Sequence, residues 1–152
     1  MLILQAQFIP LPLFRKQERL HLKKDILHLF ENGEKWACFP FRVLLRCIVE
    51  GEDGVQVSIL VSVSKRNFKK ATDRNRLKRQ MREAFRLRKD AFYKRINDLS
   101  SEKLNLVVHI GLIYTSKNKE AWVLFEKKMD RALDETYLKI KTTYRNLDAQ
   151  NI

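Results

Sequence analysis

The sequence predicts an α+β two-layer sandwich, helices packed on a sheet, in the order helix, hairpin, long basic helix, strand, helix. Three observations carry that expectation. The chain has 152 residues and 45% hydrophobic content, which fits one domain with a real core and leaves little room for two. Three stretches are rich in aromatic and β-branched residues, as strands are. The stretches between and around them repeat their apolar residues every three or four positions, as helices do.

From about Lys24 to Asn32, Ile26, Leu27, Leu29 and Phe30 recur at helical spacing, and Asn32-Gly33 supplies a left-handed stop. Residues 36–49, WACFPFRVLLRCIV, read as a strand in which Pro40 marks an edge or a bulge. The turn Gly51-Glu52-Asp53-Gly54 joins it to VQVSILVSV, 55–63, as a β-hairpin. Thr72 or Asp73 caps a long helix running to about Ile96. The third strand, LNLVVHIGLIY at 104–114, is nearly continuously apolar and therefore central in the sheet. From Asn118 or Lys119 to about Lys141 the spacing of Trp122, Phe125, Met129, Leu133, Tyr137 and Ile140 predicts a final helix. These elements divide the chain into an N-terminal extension (1–13), one domain (14–141) and a polar tail (142–152) expected to fray.

The formal net charge is +13, so a folded domain of this kind calls for a polyanionic partner, nucleic acid first and an acidic membrane surface second. That argues against an enzyme for small neutral substrates. No uncharged run approaches the roughly 18 to 20 residues of a membrane span, so nothing is expected to span a bilayer, and with nucleic acid preferred no membrane is named among the partners. The apolar start, Met1 to Leu13, lacks a preceding basic stretch and a small-residue cleavage pattern, so it does not read as a signal peptide. Cys38 and Cys47, nine apart in what reads as one strand, should face opposite ways and stay unpaired, which suits a reduced, cytoplasmic location. His21, His28 and His109 are scattered without zinc spacing, and His109 reads as a core residue. No glycine-rich phosphate loop or acidic cluster is present, so no metal site and no catalytic residue is assigned to the protein itself.

Residues 64–96 hold 14 basic and 3 acidic residues, nearly all of the surplus charge. On a helical wheel Leu77, Met81, Ala84, Phe85, Ala91, Phe92 and Ile96 share the sector that should face the sheet. Lys78, Lys89, Arg82, Asn75, Arg86 and Arg79 fall on a narrow ridge beside it. Like charges at i and i+4 repel by roughly 0.2 to 0.5 kcal/mol per pair, and a solvated face would normally mix signs. Phosphates that neutralise the ridge would remove that repulsion.

The stretch SVSKRNFKKATDRNRLKRQMREAFR, Ser62 to Arg86, closely resembles the signature of the protein subunit of bacterial ribonuclease P. Arg74, Asn75, Arg76, Lys78, Arg79 and Arg82 match that family's Arg-Asn-Arg box and the basic residues after it, and Val61 to Arg66 match the strand that precedes it. Phe14-Arg15-Lys16 with Arg19-Leu20 looks like the family's basic start, and Asp25 to Gly33 like its first helix. The resemblance implies a small basic protein that joins a catalytic RNA and helps it remove the 5′ leader of precursor tRNA. Hydrolysis would then belong to the RNA and its bound Mg2+, with the protein inert alone and needing no obligate protein partner. It implies a left-handed βαβ crossover, against the usual hand. It also implies that Lys65, Arg66, Arg74, Asn75, Arg76, Lys78, Arg79, Arg82 and Arg86 bind the catalytic RNA, and that a cleft between sheet and first helix holds the single-stranded leader. Phe30 matches a cleft aromatic, Ile26 stands where members often carry another, and Phe41 and Ser64 are further candidates. The alternative is a ribosomal or assembly protein that uses the same ridge on folded RNA without a leader cleft.

Overall fold

The computed structural model describes residues 13–49, 54–99 and 105–150. A short 3-10 turn, Lys16–Glu18, precedes α1 (Lys23–Asn32), β1 (Glu34–Cys38), β2 (Phe41–Val49), β3 (Val55–Val63), α2 (Ala71–Arg86), α3 (Lys89–Leu99), β4 (Leu106–Tyr114) and α4 (Trp122–Gln150). The mixed α+β architecture is the expected one. The strand order is β1-β2-β4-β3, so β4 is interior, as its apolar sequence requires.

The hairpin is not where the sequence placed it. Residues 36–49 are two strands, and the antiparallel turn falls at the cis Phe39-Pro40 bond between β1 and β2. β2 and β3 do not pair with each other, because β4 lies between them, antiparallel to β2 and parallel to β3. A strand apolar on both faces gains more from two paired neighbours than from an edge, and this wins over sequence adjacency. The β3-α2-α3-β4 path is thus the parallel crossover unit. Most of the turn expected at 51–54 lies outside the described residues; Gly54, at φ 107°, adopts the conformation that glycine tolerates. Cys38 and Cys47 are both free, on separate strands, and burial pushes the Cys47 thiol up to about 12.

Alternation along the strands sorts two faces. Phe41, Val43, Leu45, Ile59, Val61, Val63, Val108, Ile110, Leu112 and Tyr114 form the main core with Leu77, Met81, Phe85, Phe92, Ile96, Phe125 and Met129 from α2, α3 and α4. The other face carries Leu44, Leu60 and Ile113, on which α1 sits through Leu29 and Ile26, joined by Leu20. The expected helical layer is therefore α2 to α4, and α1 crosses the reverse face. Gly111 permits that approach, since a Cβ there would lie 3.2 Å from Leu29 Cδ2 and from Leu44 Cβ.

Three local expectations change. Gly33 ends α1 in an extended conformation (φ −68°, ψ 146°) rather than a left-handed one, and a Cβ there would meet the Leu29 carbonyl oxygen at 2.3 Å. Glycine is needed at that point for close approach. The basic helix begins at Ala71 after Lys70, without a side-chain cap from Thr72 or Asp73; Asp73 instead pairs with Lys119 at 2.8 Å. It also breaks at Leu87-Arg88 instead of running to Ile96. Arg88 fixes the break by donating to Ala84 O (3.1 Å) and to Asp130 (2.5 Å) and Glu126 (3.3 Å) of α4. The phase then resets: Ala91, expected inside, is exposed, and Lys89, expected on the ridge, is buried. Residues 142–150, expected to fray, continue α4.

Candidate nucleic-acid interface

Leu77, Met81, Ala84 and Phe85 anchor one side of α2 in the core, and helical geometry then fixes where its cations stand. Asn75, Lys78, Arg79, Arg82 and Arg86 line one groove of about 480 Å³ together with Glu83 and with Phe14 and Arg19 from the N-terminal segment. Lys78, Arg79, Arg82 and Arg19 have no acidic partner among the described residues. Glu83 is taken by Arg86 (2.5 and 2.8 Å), which holds its carboxyl below the usual range and raises the arginine. Burial lowers the Arg82 guanidinium, and the nearby charge of Arg19 adds to the effect. Unneutralised cations packed this closely make a site for an anion with several charges.

The other expected RNA-binding residues are distributed less evenly. Arg74 turns back and donates to the Phe68 and Lys69 carbonyls, both at 2.8 Å, so it braces the loop before α2. Arg76 is exposed but does not line the groove. Lys65 and Arg66 are exposed at the end of β3, where Ser64 Oγ accepts from the Arg66 N–H at 3.1 Å. Sequence reasoning gave Phe14 and Arg19 a place in the family's start but no role; the alternation that buries Glu18 and Leu20 was the available signal.

On α1, Phe30 is 37% exposed, and Ile26 is half-buried against the Leu20, Leu29 and Leu44 cluster beneath the helix. Phe41 does not join them. It is 1% exposed on the opposite face, 5.7 Å from Phe125 and 6.4 Å from Tyr114 between ring centroids. Odd positions of β2 face the main core, so its neighbour Arg42 occupies the α1 face, exposed and in register with Ile113, which pairs in turn with Ser62. Arg42 is a cleft candidate that strand parity could have shown. His109 is buried as expected, with Nδ1 unpartnered among the described residues and its protonation disfavoured by burial. Among the described residues no group of three or more His, Cys, Asp or Glu could hold a metal ion, and no helix is long and apolar enough to cross a membrane.

A family model described as Ribonuclease P matches residues 14–135. The chain belongs to the ribonuclease P protein family. The ribonuclease P protein component of Porphyromonas gingivalis is 34% identical over 118 residues, 78% of this chain and 82% of that protein. That of Thermotoga maritima is 43% identical over 76 residues, 50% of this chain and 61% of its own length. The solved structure of the Thermotoga maritima RNase P protein superposes with a TM-score of 0.52 at 28% identity, covering 78% of this chain and 96% of that one. The Staphylococcus aureus RNase P protein shares the fold, with a TM-score of 0.54 at 22% identity over 78% and 94% of the two chains. A ribonuclease P protein component works with the ribonuclease P RNA.

Proposed function

We propose that the chain binds the catalytic RNA of ribonuclease P through the α2 groove and holds the single-stranded 5′ leader of precursor tRNA between α1 and the sheet. The observation that carries the reading is the groove itself, where Lys78, Arg79 and Arg82 stand beside Asn75 without acidic partners among the described residues. Arginine forks suit bidentate phosphate contacts, and a half-exposed ring beside a cation suits an unpaired base. Phe30 supplies an exposed ring on α1 and Arg42 an exposed cation on the α1 face of β2, with Ile26 and Ser64 as further candidates for that site. Lys65, Arg66, Arg76 and Arg86 extend the basic surface, and Arg74 supports it from behind.

In this reading the RNA and its Mg2+ cleave the phosphodiester and the protein contributes affinity, in the cytoplasm and without a catalytic residue of its own. A ribosomal or assembly role is not favoured, because the ribonuclease P family match covers residues 14–135. The test is reconstitution with a bacterial ribonuclease P RNA and scoring of precursor tRNA cleavage at low magnesium. The protein should restore cleavage there and show none alone. Activity of the protein without RNA, or no effect on the RNA's magnesium requirement, would overturn the proposal.

A further inference from the structure

Residues 14–20 form a strap along the outer edge of β3. Leu20 N–H donates to Ile59 O at 2.9 Å, and Ser58 Oγ donates to Gln17 O at 3.3 Å. Inside the strap a charged residue is buried: Glu18, 8% exposed, accepts from Lys89 Nζ (2.7 Å), Tyr93 OH (2.6 Å) and the Arg15 N–H (3.1 Å). Lys89 Nζ also donates to the Leu13 carbonyl. The next residue, Arg19, is extended (φ −91°, ψ 121°), so burying Glu18 turns Arg19 outward. Its guanidinium lies 5.5 Å over the Phe14 ring, which meets Phe85 edge-on at 6.0 Å, and both line the groove with Lys78, Arg79 and Arg82.

We propose that Arg19 is a further phosphate-binding residue of the catalytic-RNA interface, and that the Glu18, Lys89 and Tyr93 network is the latch that positions it. The proposal rests on the reading of the groove as the RNA surface. A chain segment outside regular helix or strand must be ordered before its arginine can add affinity, and a latch formed in the free protein meets that cost before binding. A buried ion pair is weak support for stability as such, whereas fixing one register of the strap is a use that suits it. The fixed register places Arg19 against like charges, an arrangement that favours a phosphate between them.

The experiment measures the affinity of the full chain for a bacterial ribonuclease P RNA between about 50 and 200 mM salt. Arg19→Ala should weaken binding about 10-fold at the low end and reduce the slope of log K against log salt by about 0.9, one phosphate contact. Glu18→Gln and Tyr93→Phe should weaken it in the same direction, and adding Arg19→Ala to either should cost little more. Near-ultraviolet circular dichroism at the assay temperature establishes that each variant is folded; Tyr93→Phe, which deletes one hydroxyl, carries the latch test if Glu18→Gln does not fold. A purely structural latch would lower the melting temperature and leave affinity and slope unchanged, which would overturn the positioning role. An unchanged slope in Arg19→Ala beside a reduced one in Arg79→Ala would sink the strap while sparing the groove. No effect from Arg79→Ala would remove the groove reading and this inference with it.

Discussion

Replacing Lys89 by methionine tests the least expected feature of the fold, a cation turned inward by the break at Leu87-Arg88. The side chains of Lys89 and Glu18 are 6% and 10% exposed and 2.7 Å apart. Removing one partner of such a pair leaves the other charge buried and costs about 3 to 5 kcal/mol. For a domain of this size each kcal/mol lowers Tm by about 2 to 4 °C, so Lys89→Met should melt roughly 6 to 20 °C lower near pH 7. Acid should narrow the gap. Burial pushes the Glu18 carboxyl up, but Lys89, Tyr93 and the Arg15 N–H together outweigh it and hold it below the usual range. Its contribution in the native protein is therefore present above the unfolded-state value of about 4.3 and is lost as pH falls through the folded one. Without Lys89 the strongest pull is gone, burial favours the neutral acid, and the variant should lose less stability on acidification than the parent. The double variant Glu18→Gln, Lys89→Met should recover most of the loss. Calorimetry at pH 7 and pH 4 reads all three curves. A Lys89→Met shift below about 2 °C would mean that Lys89 is solvated, and the reasoning about the break would fail.

Three further outcomes follow from the same geometry. If the groove reaches about five phosphates, log K for structured RNA should fall with log salt at a slope near −4, and Lys78→Ala, Arg79→Ala and Arg82→Ala together should reduce it by nearly 3; filter binding across salt decides. Phe30→Leu should lower the affinity of the reconstituted complex for leader-bearing precursor tRNA about 5-fold to 150-fold and leave mature tRNA unaffected, and equal losses on both would count against a stacking role. Gly111→Ala should destabilise by about 1 to 3 kcal/mol, because Leu29 and Leu44 are buried on either side and cannot withdraw; an unchanged urea midpoint would show that α1 rides farther from β4 than described.

What the sequence made legible was the periodic part. Leu77, Met81, Ala84 and Phe85 face the core as their spacing requires, and the groove cations follow from them on the same wheel. The wheel failed beyond Leu87 because it assumes an unbroken helix, and the bonds from Arg88 to Asp130 and Glu126 that stop the helix connect residues about forty positions apart. The hairpin failed for a similar reason: pairing of β4 between β2 and β3 is a long-range competition that local turn signals do not report. Phe41 was placed in the cleft for its ring alone, although alternation with Val43 and Leu45 along β2 puts it on the main-core face.

The strap connects what these separate readings leave apart. Residues 14–20 contribute Arg19 and Phe14 to the groove beside α2, Glu18 to the buried network with α3, and Leu20 to the small cluster beneath α1. They do so while covering the exposed edge of β3, whose free carbonyl at Ile59 accepts from Leu20. One short segment therefore touches both proposed RNA surfaces, which otherwise stand on opposite faces of the sheet. A perturbation of the latch should then act at both. If Tyr93→Phe loosens the strap, Leu20 loses its register under α1 along with Arg19 in the groove, so leader discrimination and catalytic-RNA affinity should fall together. Arg19→Ala removes a charge without releasing Leu20, and should lower the affinity for the catalytic RNA while leaving discrimination between precursor and mature tRNA intact. Comparing the two variants in one reconstituted assay separates coupling through the strap from the loss of a single phosphate contact; identical profiles would show that the strap does not link the two surfaces.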